Sequence, residues 1–318
     1  MERIVFLERE SVDAEFRRPA FAHEWVEYAE STQEQSVERL RGATVLIANK
    51  LSVGEAELAE LPDLKLIAVA ATGVDRVDLA ACVRRGVSVA NVRGYAVHSV
   101  AEHVIMLALA LRRNLLGYVG DVRAGLWAES KQFCLLTHPI RDLHETTLGV
   151  VGYGSLGRAT ADLARRFGMR VLVGEHKGAE VVREGRTEFD ELLGESDVVT
   201  LHAPLNAGTR HLVGERELNL MKRTALLVNC ARGGVLDEEA LASALREGRI
   251  AGAGVDVLSR EPPREGNPLL APDVPNLILT PHVAWASRGA MQALADQVID
   301  NIEAFFRGAP KNLVTGKP

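Results

Sequence analysis

The chain has 318 residues, 47% hydrophobic and 25% charged, an ordinary globular composition that sets aside disorder and collagen-like repeats and leaves room for two cores. Its formal charge of −6 is spread along the sequence, which excludes the basic footprint of a nucleic-acid partner or an anionic membrane. The expected partner is a small molecule, with no nucleic acid and no membrane.

Met1-Glu2-Arg3 is followed by four strongly apolar residues before Glu8, too short a run for a secretory signal, and no apolar stretch approaches a membrane span. A cytoplasmic protein is the expectation. Short apolar runs then alternate with helix-like segments: Ile4 to Leu7, Thr44 to Ala48, Leu64 to Ala70 and Val87 to Val92. Strands alternating with helices imply an α/β fold with a parallel sheet covered on both faces. Ligands bind such sheets at the carboxyl ends of the strands, where Lys50 and Thr72-Gly73-Val74 fall. Backbone N–H groups of Thr72-Gly73-Val74 can face an anion, and Lys50 can add a cation.

Ser99 to Glu102 has the form of a capping box opening a long apolar helix through Leu111, in which His103 reads as a packing residue. This helix is expected to cross from a first domain to a second. Residues 112–145 show no clean periodicity, and a connection so long is usually functional or an interface arm.

The run from Thr147 to Gly157 is strand, tight turn and helix. Gly152 allows the turn, Gly154 lets backbone approach a pyrophosphate, and Gly157 lets the helix pack on its strand. Ser155 and Leu156 open the helix, whose N-terminus favours phosphate. A second strand ends at Glu175, 18 positions beyond Gly157, where an acidic residue can meet a ribose. Further strands end in His202-Ala203-Pro204, in Asn229-Cys230-Ala231-Arg232, in Asp256 and in Thr280-Pro281-His282. Between them Asp237 caps a helix that stops at Gly248, and the amphipathic stretch from Gln292 to Phe306 is placed to fold back onto the first unit.

Arg232, Glu261 and His282 form an acid–base set. Arg232 can hold a carboxylate bidentately and polarise a neighbouring carbonyl, and Glu261 can orient and charge-stabilise His282 for proton transfer. Beside a nicotinamide this is hydride transfer coupled to proton transfer. Cys82, Cys134 and Cys230 are too far apart for a disulfide framework or a C-x-x-C motif, and each is expected as a small buried hydrophobe. The nine histidines lack ligand spacing, so no metal is expected.

Through Gly152 to Gly157, Asn229 to Gly234, Gly254-Val255-Asp256-Val257 with Glu261-Pro262, and Pro281-His282, the chain resembles the D-isomer-specific 2-hydroxyacid dehydrogenases over nearly its whole length. Within them it is similar to the glycerate dehydrogenase (hydroxypyruvate reductase) branch, through Phe6 to Glu10, Ser130 to Cys134 and Pro281 to Ser287. The resemblance implies two Rossmann-like or flavodoxin-like domains, the cofactor domain (99–285) inserted into a substrate domain (1–98 and 286–318), closing over the site. It implies Arg232 as substrate binder and electrophile, Glu261 as orienter, His282 as acid/base, Asp256 as carboxamide partner, and His202-Ala203-Pro204 as a wall near the adenosine. Cys230, Ala231 and Ala284 join the cofactor-facing set; Lys50 and Thr72-Gly73-Val74 join Arg232 on the substrate.

Two departures stand out: Ala96 replaces an Asn common in the family, and Glu175 replaces the usual ribose Asp. NAD is the expected cofactor, because Glu175 would repel a 2′-phosphate; NADP stays open through His176 and Lys177. The implied reaction interconverts hydroxypyruvate and D-glycerate, with glyoxylate secondary, in a homodimer joined through the helix after Ser99 and the 112–145 arm. A 2-ketogluconate-type sugar-acid reductase and a non-enzymatic NAD-sensing corepressor are the alternatives.

Overall fold

Every residue of the runs Val45–Ala48 and Leu66–Val69 is buried, the pattern of parallel strands covered on both faces. In the computed structural model, which describes residues 1–315, these strands lie in the first of two units, formed by 1–96 and the segment from Ala286 onward. Its chain runs β1 (Glu2–Phe6), β2 (His23–Glu27), α1 (Gln33–Leu40), β3 (Val45–Ala48), α2 (Glu55–Ala59), β4 (Leu66–Val69), α3 (Leu79–Arg84) and β5 (Ser88–Ala90). The sheet order is β2-β1-β3-β4-β5, all parallel. The edge strand β2 has no apolar run to announce it: His23-Glu24-Trp25-Val26 is half-exposed and Glu27 exposed. It pairs with β1 on one side only.

The second unit, Val97–Trp285, contains α4 (Val97–Arg112), α5 (Leu115–Arg123), β6 (Thr147–Val151), α6 (Ser155–Arg166), β7 (Arg170–Val173), α7 (Phe189–Glu195), β8 (Val198–Leu201), α8 (Glu215–Leu220), β9 (Leu226–Asn229), α9 (Glu238–Arg246), β10 (Gly252–Val255) and β11 (Leu277–Leu279). Its sheet is β11-β10-β9-β8-β6-β7, again all parallel. The strand order turns back at β6, with β7 on one side and β8 on the other, and open α/β sheets bind ligands beside such a reversal. The core is built from Phe189, Leu192, Val199, Leu227, Leu241 and Val255, all essentially inaccessible.

The Ser99 capping box is not formed. Helix α4 starts two residues earlier at Val97, so Ser99 lies inside it and donates its hydroxyl to the Ala284 carbonyl at 2.6 Å. The 112–145 segment is not all irregular, since α5 occupies part of it, and Cys134 is half-exposed rather than buried. Asp237 does cap α9, accepting from Ala240 N at 3.1 Å.

The last helix, α10 (Arg288–Phe306), belongs to the first unit and packs on β4. Ser287 caps it, and Leu294, Ala295, Val298, Ile299 and Ile302 form its buried stripe at helical spacing. Arg17 ties it down through Glu303 at 2.7 Å and Asp300 at 2.5 Å. The end of the 286–318 segment, residues 316–318, lies outside the described residues.

Candidate active site

The turn after β6 carries the first part of the site. Gly152 has φ +91°, and a Cβ there would lie 2.7 Å from the His202 carbonyl carbon, so only glycine lets the turn sit against the end of β8. Gly154 is the N-cap of the 12-residue α6, and a Cβ built on it meets nothing within 4 Å, leaving open space over the helix N-terminus. This turn fits a dinucleotide pyrophosphate: unpaired amides, a positive dipole end and no side chain in the way. Ser155 is exposed and Leu156 half-buried at the mouth of this helix, and Gly157 is buried against the turn.

At the end of β8, His202 Nε2 lies 3.1 Å from Thr200 Oγ1, while Nδ1 is buried without a hydrogen-bond partner. Burial pushes this imidazole down to about 4, so it is neutral at neutral pH. Ala203 is buried and Pro204 exposed beyond it. A neutral ring with one unsatisfied nitrogen, beside the glycine turn, suits a polar edge of a bound base better than a charge.

The candidate acid–base residues Arg232, Glu261 and His282 are joined by a short chain of contacts. Asn229, 1% exposed at the end of β9, accepts from Ala231 N and donates to the Arg232 carbonyl, each at 3.1 Å, which pins the turn holding the buried Cys230 and Ala231. A Cβ at Gly233 would lie 1.9 Å from the Leu258 carbonyl oxygen, so the Arg232 turn packs on the Leu258 loop only because that residue is glycine. The Arg232 guanidinium donates to the Ala231 carbonyl at 2.8 Å. Glu261 Oε1 in turn accepts from Leu258 N at 2.8 Å, and Glu261 Oε2 is 2.6 Å from His282 Nδ1.

With Nδ1 engaged by a carboxylate, the other ring nitrogen of His282 is the one left for acid–base work. His282 itself has φ +57°, an uncommon backbone state for a side-chain-bearing residue. It is held there by its N–H to the Asp256 carbonyl at 2.8 Å and by Trp285 Nε1 to its own carbonyl at 3.0 Å. Asp256, 2% exposed, accepts from Thr280 Oγ1 (2.5 Å) and Val283 N (3.0 Å) on Oδ1 and from Ala284 N (2.9 Å) on Oδ2.

His103 completes that network. Its Nε2 lies 3.0 Å from Thr280 Oγ1 and 3.6 Å from Asp256 Oδ1, and burial holds its imidazole below the ordinary value despite the nearby carboxylate. Read from sequence it is a packing residue; in the fold it stands behind the His282 loop. Thr280 was equally unmarked, its only signal being its place two residues before His282.

In the first unit, Lys50 follows β3 and Thr72-Gly73-Val74 follow β4, both at carboxyl ends. The loop bearing Lys50 is shaped by Glu8, part of the Phe6 to Glu10 motif but given no role by the sequence, whose Oε2 accepts from the backbone N–H groups of Asn49 (3.0 Å), Lys50 (2.9 Å) and Leu51 (3.2 Å). Thr72 is anchored through its hydroxyl to the Val92 carbonyl (2.9 Å) and through its carbonyl to Asn91 Nδ2 (2.7 Å). Among the described residues no group of three or more His, Cys, Asp or Glu is placed to hold a metal ion.

Glu175, at the end of β7, lies 5% exposed and is engaged by Arg183, which donates through Nε to Oε2 at 2.6 Å and through Nη2 to Oε1 at 2.5 Å. These bonds hold its carboxyl far below the usual carboxylate range. Lys177 is committed elsewhere, to Glu217 at 2.9 Å.

Against known proteins, the profile of the D-isomer specific 2-hydroxyacid dehydrogenase NAD binding domain matches residues 105–284. A glycerate dehydrogenase from Methylorubrum extorquens is 50% identical over 314 residues, covering 98% of this chain and 99% of its own. A hydroxypyruvate reductase from Blautia hydrogenotrophica is 33% identical over 284 residues, 88% of each chain. Among solved structures, the TT0316 protein from Thermus thermophilus superposes with a TM-score of 0.84 at 33% identity, covering 98% of this chain and 100% of that one.

Proposed function

Since the chain belongs to the D-isomer specific 2-hydroxyacid dehydrogenase family and is an NAD-dependent oxidoreductase acting on CH–OH, we propose that it reduces hydroxypyruvate to D-glycerate, with glyoxylate as a poorer substrate. The observation that carries this reading is the 2.6 Å contact of Glu261 with His282 Nδ1, linked through Leu258 to the Arg232 turn.

Bound NADH supplies the hydride. Arg232 binds the substrate carboxylate and polarises the keto group, and His282 Nε2 gives its proton to the keto oxygen as the alcohol forms. Glu261 fixes the ring through Nδ1, leaving Nε2 for the substrate. Oxidation of D-glycerate runs the same proton back onto Nε2. In this proposal Gly152, Gly154, Ser155, Leu156 and Gly157 hold the pyrophosphate, Glu175 lies at the ribose, and His202, Ala203 and Pro204 flank the adenosine. Cys230, Ala231, Asp256 and Ala284 form the nicotinamide side, with Asp256 Oδ2, which accepts one bond from Ala284, as the carboxamide acceptor. Lys50 and Thr72-Gly73-Val74 are the first unit's substrate-binding residues.

The test is a comparison of kcat/KM for hydroxypyruvate, glyoxylate, pyruvate, a branched-chain 2-keto acid and 2-ketogluconate with NADH. A polar site for the C3 hydroxyl leaves groups unpaired when pyruvate binds, so hydroxypyruvate should lead pyruvate by about a hundredfold or more. Pyruvate or the branched acid ranking first would defeat the assignment, and 2-ketogluconate ranking first would promote the sugar-acid reductase.

A homodimer in the cytoplasm belongs to the same proposal. The segment 112–145 presents Leu115, Leu116, Val122, Trp127, Phe133 and Leu136 to solvent, an apolar surface of the kind that a second copy covers. The free thiols Cys82, Cys134 and Cys230 suit a reducing compartment. Among the described residues no helix is long and apolar enough to cross a membrane.

A further inference from the structure

Discrimination for NAD in a fold of this kind rests on an acidic residue at the end of the second strand, which accepts the ribose hydroxyls and repels a 2′-phosphate. Glu175 stands at that place, but its acceptor sites are taken. Oε1 accepts from His176 N (2.8 Å) and Arg183 Nη2 (2.5 Å), and Oε2 from Arg183 Nε (2.6 Å) and Arg183 N (3.3 Å). Two lone pairs on each oxygen account for all four bonds.

The exposures are as telling as the distances. The Glu175 side chain is 3% exposed and that of Arg183 57%, so the strand end presents a guanidinium to solvent, with the carboxylate beneath it. Two more cations lie beside the same turn. Arg186 donates to the Gly174 carbonyl at 3.1 Å and stands 5.3 Å from the ring centre of Tyr153, between Gly152 and Gly154, and Arg158 stands 5.6 Å from that ring.

We propose that Arg183 sets the dinucleotide choice of this chain: by occupying and neutralising Glu175 it removes the barrier to a 2′-phosphate, so that NADPH is accepted alongside NADH. A ribose diol must compete with a two-pronged, charge-assisted pair for the carboxylate, which weakens the usual advantage of NADH. A 2′-phosphate meets a guanidinium, whose planar fork suits phosphate oxygens, with Arg186 and Arg158 adding to the local positive field. This inference rests on the dehydrogenase reading and concerns its cofactor site.

The experiment is equilibrium titration of the full-length protein with NADH and with NADPH, without keto acid, following nucleotide fluorescence, for the wild type, Arg183→Gln and Glu175→Gln. The wild type should bind the two within about tenfold of each other. Arg183→Gln, a change at an exposed side chain, should raise the NADPH-to-NADH ratio of Kd by about tenfold or more, since it removes a charged phosphate partner and uncovers the carboxylate. Glu175→Gln should lower that ratio below the wild-type value. Wild-type selectivity for NADH above about a hundredfold, or a ratio unmoved by Arg183→Gln, overturns the inference while NADH binding keeps the dehydrogenase reading intact. Failure of both dinucleotides to bind would overturn that reading and the inference with it.

Discussion

Asp256 holds His282 by the backbone: its carbonyl accepts the His282 N–H at 2.8 Å, while its carboxylate accepts from the two residues that follow, Val283 and Ala284. Asparagine at 256 keeps the size but turns one of these acceptors into a donor facing an N–H group. Asp256→Asn should therefore cost about 1–3 kcal/mol of stability, the scale of a buried unsatisfied polar group. It should also lower kcat more than it raises the KM of the keto acid. Thermal denaturation with steady-state kinetics checks both, and unchanged kcat would show that the loop holds His282 without Asp256.

Removing the imidazole with His282→Ala should lower kcat by about 10²–10⁴, the range of a positioned general acid, with NADH affinity nearly unchanged. Glu261→Gln keeps the size and removes the charge beside Nδ1, so kcat should fall more than the KM for hydroxypyruvate rises. Steady-state kinetics of both proteins decides it. An unchanged kcat would take Glu261 out of the role.

Glu8 shapes the Lys50 loop through the Asn49, Lys50 and Leu51 amides. Glu8→Ala leaves those N–H groups to water or to nothing, and the loop loses its anchor. The expected result is a severalfold rise in the KM for hydroxypyruvate with the Kd for NADH unmoved. A change in NADH affinity without a change in KM would count against Lys50 as a substrate-binding residue.

Arg17 holds the Glu303 carboxyl below the usual carboxylate range, chiefly through their hydrogen bond. A depressed folded-state value adds stability above the unfolded-state value, and that stability is lost as pH falls through the folded one. Glu303→Gln should lower Tm at pH 7 by roughly 2–6 °C, and the gap to the wild type should narrow as pH drops below about 4. A gap independent of pH between 7 and 3 would mean that packing of α10, not charge, accounts for the loss.

Local sequence by itself determined the parts of this protein that depend on neighbours in the chain. Apart from β2, the parallel strands of both sheets are short apolar runs bounded by turns, and at Gly152 and Gly157 of the glycine turn backbone comes close to backbone. Asn229-Cys230-Ala231-Arg232 and Thr280-Pro281-His282 are short strings at strand ends. Their legibility comes from burial, which leaves its period in the sequence, and from glycine, whose use is local. The edge strand β2 left no such trace, because a half-exposed strand needs no apolar period.

Tertiary structure alone decided which partner each polar group has. Spacing placed an acidic residue at the end of β7 but not Arg183 upon it; the pairing depends on how the loop after Glu175 turns back. Glu8 reaches residues 41 to 43 positions away because β1 and β3 are neighbours in the sheet, and His103 reaches Thr280 across 177 positions because α4 packs on β10. A charged or hydrogen-bonding side chain carries no period and can be satisfied by any complementary group within about 3 Å, so its partner is known only when the strands have been paired and the loops have closed.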